Sequence, residues 1–250
     1  MYKRQHQYNL GKKEIDWLST NSNGKETNRD SQSTEILFLE QCHNFLAEHG
    51  YLAIVIPDGI LTNSSLQYVR DNLEELYRIV AVVSMPQTAF TYTGAGVKSS
   101  VLFLRKNKEK KSEKIATQKA NLKAALLKDN KFIETVEKWE KEKKAAIKKL
   151  EEETKQKNSK VSKKEIGEMI KDGKAELRSS FADKVNLLKE ELTEKYFTSK
   201  KTALDDYPIF MAIAEDIGYD AAGRNTTNNE LIEIGKELSK FIAHINKMEN

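Results

Sequence analysis

The sequence is poor in the residues that turn, cross-link or anchor a chain. Its 250 residues include one cysteine, three prolines and eleven glycines. The single cysteine, Cys42, excludes an internal disulfide and a multi-cysteine zinc site. Four histidines (His6, His43, His49 and His244) are scattered without ligand spacing, so no histidine metal cluster is expected. The longest apolar runs, Leu52–Pro57 and Ile79–Val83, are far shorter than the ~20 residues of a membrane span. The opening stretch, MYKRQHQYNL, has no apolar core of a secretory signal. A soluble, cytoplasmic chain with no membrane segment is the expectation. Common catalytic signatures are also missing. There is no G-x-G-x-x-G, no Walker lysine motif, no G-x-S-x-G and no H-E-x-x-H; Gly94-Ala95-Gly96 is only a loop pair.

What the chain has in abundance is charge. Asp, Glu, Lys and Arg make up 32% of it, and its net charge is +4. The charge is uneven: residues 106–201 hold 28 basic and 18 acidic side chains, net +10, whereas the rest holds 14 and 20, net −6. With so few Gly and Pro, this basic middle reads as long polar helix. Four segments follow: a polar loop at 1–34, an α/β region at 35–105, a helical arm at 106–200 and a helical tail at 201–250.

In the α/β region, Glu35–Glu48 has the apolar spacing of a helix, and His49-Gly50 ends it with a glycine suited to a left-handed exit. Tyr51–Pro57 is a continuous apolar run of the kind found in a strand buried on both faces. Ser64 or Ser65 can cap a helix to about Tyr77. Arg78–Met85 and Val97–Leu104 are two further strands. The first connection is long enough for a right-handed crossover, and the last is short enough for an antiparallel pair. In the arm, Ile115 through Leu150 and Ile166 through Tyr196 recur at helical spacing, with a break at Asn158–Ser162 and a capping box at Ser162 and Glu165. Two long helices are expected, folded back as an antiparallel hairpin. The first, from about 108 to 156, would be roughly 70 Å long. Asn228 or Asn229 can cap a last helix to about Lys247.

Three stretches carry a family likeness. They are Glu35–Leu61, with Ile56-Pro57-Asp58-Gly59; Met85–Lys106, with Phe90 and Gly94-Ala95-Gly96-Val97-Lys98-Ser99-Ser100; and Tyr207–Arg224, with Ile217-Gly218-Tyr219-Asp220 and Gly223-Arg224. Together they resemble the modification (M) subunit of type I restriction-modification systems, a family of adenine-N6 DNA methyltransferases. The likeness implies the C-terminal part of a Rossmann-like methyltransferase sheet, mostly parallel with an antiparallel last strand; it says little about residues 106–200, where the helical hairpin is read from the spacing alone. It implies S-adenosylmethionine as the whole enzyme's cofactor, double-stranded DNA as substrate, and the specificity and restriction subunits as partners. The family's cofactor loop and Asn-Pro-Pro-Phe tetrad lie upstream of these stretches, and no Asn-Pro-Pro occurs in the chain. Tyr8-Asn9-Leu10-Gly11 resembles the element that follows the tetrad. The chain thus reads as a C-terminal portion with no cofactor-binding residues, to be joined by an N-terminal methyltransferase half.

The chemistry explains what such a portion would carry. Methylating an adenine amino group requires the base to leave the duplex, at a cost of a few kcal/mol. An aromatic face holds an extruded base with roughly 1–3 kcal/mol of stacking. By the likeness Phe90 is the stacking residue, with Tyr92 second. Pro57 and Asp58, at the C-terminal end of a strand, would line the pocket, and Lys98 would meet a phosphate. Plainer readings stand beside these. Phe90 can plug the sheet, Pro57-Asp58 can simply end a strand, Lys98 can be solvated, and Cys42 can be a small core residue. Lys/Glu pairs on the arm can serve only solubility, or the arm can touch DNA phosphates. The competing function is a non-catalytic coiled-coil interaction module.

Overall fold

The computed structural model describes residues 8, 10, 13–14, 17–18, 27–28, 32–157 and 162–248. Most of the expected 1–34 loop, and residues 158–161 of the break expected at Asn158–Ser162, lie outside them. The chain forms two compact units. One comprises Met1–Asp16, Glu26–Thr117 and Asp206–Asn250; the other comprises Trp17–Lys25 and Gln118–Asp205. No helix among the described residues is long and apolar enough to cross a membrane.

The first unit is built on a four-stranded mixed sheet. After a two-residue pair, β1 (Lys13–Glu14) and β2 (Thr27–Asn28), come α1 (Thr34–Phe45), β3 (Tyr51–Pro57), the short α2 (Asp58–Thr62), α3 (Gln67–Leu76), β4 (Tyr77–Ser84) and β5 (Ser99–Lys106). The C-terminal segment adds β6 (Phe210–Ile213), the antiparallel pair β7 (Ile217–Tyr219) and β8 (Asn225–Asn229), and α7 (Leu231–Met248). The main sheet has the order β3-β5-β4-β6. Here the structure corrects the expectation of a mostly parallel sheet. β3 and β4 run in the same direction, but β5 lies between them, antiparallel to both; only β4 and β6 are parallel neighbours. The connection from β4 to β5, residues 85–98, holds only a 3-10 turn and no crossover helix, and the chain reverses beside the strand it leaves.

Position in the sheet also corrects the reading of β3. Among the described residues it pairs only with β5, at the edge of the sheet, and its exposure alternates: Tyr51, Ala53 and Val55 are exposed while Ile56 is buried. Leu52, Ile54 and Ile56 face the main core with Leu102, Leu104, Ile79 and Val82, under Ile36 and Leu39 of α1 and Val69 and Leu73 of α3. Across the other face, Phe241 of α7 meets Phe210 at 5.9 Å between ring centroids, and Asn246 accepts a hydrogen bond from the Tyr51 hydroxyl at 2.7 Å. The segment expected as a helical tail therefore supplies a strand to the sheet and a helix over it. Before β6, the Tyr207 hydroxyl accepts from the Ile79 N–H at the bulge in β4, and the Arg78 guanidinium lies 4.7 Å over its ring.

Ends of elements differ from expectation in instructive ways. After α1 it is His49, not Gly50, that takes the left-handed conformation (φ 63°). Gly50 is needed instead for space, since a Cβ there would lie 2.9 Å from the Ala47 carbonyl oxygen. Asn63, rather than a serine, caps the turn before α3, its side chain accepting from the Ser65 N–H. Asn229 does cap the last helix, accepting from the Leu231 N–H at 3.1 Å. The N-terminal element is tied down by buried hydrogen bonds: the Leu10 N–H donates to Glu40 and the Leu10 carbonyl accepts from Gln32.

The second unit is helical. Where one helix of about 108–156 is expected, α4 (Glu109–Asp129) and α5 (Phe132–Lys157) are separated by Asn130 and Lys131. Lys131 has φ 47°, and the Asn130 amide turns back to the Leu126 carbonyl. Local side-chain bonding by asparagine competes with helix continuation. α6 (Lys163–Ala203) begins at the expected capping box. Phe132 and Val136 pack with Leu192, whereas Leu150 packs on Gly173 and Glu151 pairs with Lys174. Trp17 and Leu18, which the sequence assigns to a polar loop, complete this core: Leu18 joins Phe132 and Leu192, and Trp17 lies 5.5 Å from the Tyr196 ring.

One titratable group couples the first unit's stability to pH. His43 on α1 meets the Tyr77 ring edge-on at 5.2 Å. Burial, and then the Lys106 ammonium, lower its pKa from the ordinary 6.5. In the unfolded chain the imidazole gains its proton at the ordinary value, so just below it the unfolded state binds more protons. The contribution is therefore full above the ordinary value and is lost as pH falls through the folded one. The urea midpoint should drop between about pH 7.5 and about pH 5.5, and His43→Asn should make that drop smaller.

Candidate functional site at the ends of the strands

The register brings three strands to one tip. Pro57 pairs with Ser99, and Ser84 with Ser100, so the C-terminal ends of β3 and β4 meet the start of β5. The end of β6 arrives beside them, with the Ala214 N–H donating to the Ser84 carbonyl at 2.9 Å. Open α/β sheets place ligands outside the carboxyl ends of their strands. The site residues named from sequence all lie at this tip or in the loop that crosses it.

Asp58 is the first residue of α2, directly after β3. Its N–H donates to the Lys98 carbonyl at 2.9 Å, and its carboxylate accepts from the Ser100 hydroxyl at 2.7 Å. Pro57 is half-buried beside it. The Lys98 ammonium donates to the Met85 carbonyl, and the Met85 N–H donates to the Ser99 carbonyl. Lys98 thus ties the two ends of the loop together. Gln87 adds a second tie, donating to the Gly96 carbonyl at 2.9 Å.

Between these ties the loop carries its aromatics. A short 3-10 turn at Thr91–Thr93 ends on Gly94 in the left-handed region (φ 87°). The Phe90 carbonyl accepts from the Thr93 and Ala95 N–H groups and from the Thr93 hydroxyl. Phe90 is half-buried and packs against a small cluster of Met85, Ala89, Ala214 and Ile217. Tyr92 is 63% exposed, and its ring meets that of Tyr219 edge-on at 6.4 Å. The two aromatics are therefore close in sequence but unlike in setting: one leans on the sheet and the other stands in solvent.

Sequence reasoning did not assign roles to Ser100, Tyr219 or Gly223. Ser100 is nearly fully buried, and only the strand register reveals it as the partner of Asp58. Tyr219 and Gly223 stand in the third family-like stretch, which was the available signal.

The site does not fit an S-adenosylmethionine pocket. Gly94 and Gly96 lie in a strand-to-strand loop with open space around them, not in a strand-to-helix turn, and the Asp58 carboxylate accepts from Ser100. Among the described residues no group of three His, Cys, Asp or Glu side chains gathers to hold a metal.

A sheet with helices on both faces and a loop-built site at the strand tips defines an α/β protein of the kind in which ligands bind at that edge. The N-6 DNA methylase family matches residues 8–193, and the chain belongs to that family. Among solved structures, a class I S-adenosylmethionine-dependent methyltransferase from Listeria monocytogenes is similar at 24% identity, with a TM-score of 0.29, over 39% of this chain and 29% of that one. No curated protein matches.

The Ser100–Asp58 bond generates a stability test. Ser100→Ala leaves a half-buried carboxylate short of one donor and should cost about 1–2 kcal/mol, measured as a fall in urea midpoint at unchanged slope. An unchanged midpoint would mean that this contact does not organise the strand tips.

Proposed function

We propose that the chain is the target-base side of a type I adenine-N6 DNA methyltransferase subunit, a C-terminal portion that works with a separate N-terminal half. The observation that carries this reading is the loop 85–98. It sits over the strand tips and presents Phe90 and Tyr92 between two internal ties, Lys98 to Met85 and Gln87 to Gly96. An extruded adenine needs an apolar face and a boundary that excludes water. Phe90 would supply the face, with Tyr92 as the outer aromatic, and Pro57 and Asp58 would form the wall. Lys98 has one donor on Met85, which leaves two for a phosphate oxygen.

The reading also says what the chain does not do. The groups that orient the amino nitrogen and hold the methyl donor belong to the other half, so S-adenosylmethionine serves the assembled enzyme. The edge of β3, which has no strand neighbour beyond β5 among the described residues, is where that half would continue the sheet. Sequence specificity would come from a specificity subunit, and the restriction subunit would join the same assembly on double-stranded DNA.

Titration calorimetry with S-adenosylmethionine should give no micromolar binding for this chain alone. Mixed with an N-terminal half carrying Asn-Pro-Pro-Phe, it should restore adenine methylation, and Phe90→Ala should cut the restored rate at least about fivefold, given the roughly 1–3 kcal/mol of one stacked base. Micromolar binding by the chain alone, or no methylation in any mixture, would contradict the reading.

A further inference from the structure

The stretch Ile217–Arg224 has no role in the reading above, yet its geometry is specific. At its two ends, Asp216 accepts from the Gly218 N–H at 3.1 Å and from the Thr226 hydroxyl at 2.6 Å. Asp220 accepts from the Ala222 and Arg224 N–H groups at 2.9 Å and from the Arg224 guanidinium at 2.8 Å. These bonds fix the turn between β7 and β8, with Gly223 in the left-handed region (φ 77°). The turn is thus a rigid object in its own right.

Its outward contacts converge on the aromatic loop. The Tyr219 hydroxyl donates to the Ala89 carbonyl at 3.0 Å, immediately before Phe90. The Tyr219 ring meets the Tyr92 ring, and a Cβ added at Gly223 would lie 3.1 Å from Tyr92 Cδ2. The hairpin therefore grips the loop on both sides of Phe90: by the backbone at Ala89 and by the ring at Tyr92. The loop's internal bonds set the shape of its turn. The hairpin sets how that turn stands on the sheet, because Ala89 and Ile217 share one cluster.

We propose that Tyr219 and Gly223 are positioning residues that hold the Phe90–Tyr92 turn in the conformation that receives an extruded base, a proposal that rests on the base-contact reading. Pre-organised contacts bind more tightly because the ordering cost is met before the ligand arrives. Removing the Tyr219 hydroxyl frees the Ala89 carbonyl and lets the turn swing; Gly223→Ala pushes the Tyr92 ring away and also strains the hairpin turn, because the residue stands at φ 77°.

The test is photocrosslinking of the full chain to a single-stranded oligodeoxyadenylate carrying one 5-iodouracil, with the adduct mapped by peptide mass spectrometry. A single strand presents its bases without the cost of extrusion. Wild type should crosslink at Phe90 or Tyr92. Tyr219→Phe should lower that yield about fivefold, the population change from losing one ordinary hydrogen bond, and Gly223→Ala should lower the share at Tyr92. Urea midpoints measured in parallel separate this from unfolding, and the second variant serves if the first is unstable. Wild-type yields in both variants would overturn the positioning role while leaving the base-contact reading intact, which Phe90→Ala tests separately. No crosslink in the loop of the wild type would overturn the base-contact reading and this proposal with it.

Discussion

Strand β5 runs antiparallel between β3 and β4, and this one pairing organises the first unit. It contributes Leu102 and Leu104 to the main core and Val101 to the small cluster on the other face, so both layers of packing depend on it. It also determines where the connecting loop goes. A chain that leaves β4 at Ser84 and returns in β5 at Ser99 must reverse over the carboxyl ends of β3 and β4. The aromatics, Lys98 and the Asp58–Ser100 pair are neighbours because of that reversal.

The tip this creates offers ring faces, a proline and a carboxylate that is already hydrogen-bonded to Ser100. The hairpin from β7 to β8, fixed by its own carboxylates, meets the aromatic loop at Ala89 and Tyr92.

Strands β3, β4 and β5 were legible in the sequence, as was the antiparallel pairing of β4 with β5; β6, β7 and β8, in a segment expected as helical, were not, nor was the order of the sheet. Leu52–Ile56 reads as an apolar run whether it ends in the middle of a sheet or at its rim, so its edge position could be found only from pairing. The break at Asn130-Lys131 carries neither Gly nor Pro and is invisible to pattern; it depends on a side chain bonding back to Leu126. Trp17 and Leu18 sit in a polar stretch, and only long-range packing against Phe132, Leu192 and Tyr196 assigns them to the helical unit. The candidate site was half legible. Phe90, Tyr92, Pro57, Asp58 and Lys98, singled out from the sequence, gather at one tip, whereas the Ser100–Asp58 bond and the close approach of Gly223 to Tyr92 appear only in the fold.

Amide hydrogen exchange followed residue by residue in the isolated chain tests the central placement of β5 most directly. An interior strand bonded on both sides opens only with the whole unit, whereas half the amides of an edge strand face solvent. The account predicts that Val101–Arg105 exchange most slowly in the first unit and that alternate amides of Tyr51–Ile56 exchange rapidly. Slow exchange along all of β3 together with rapid exchange in β5 would contradict it.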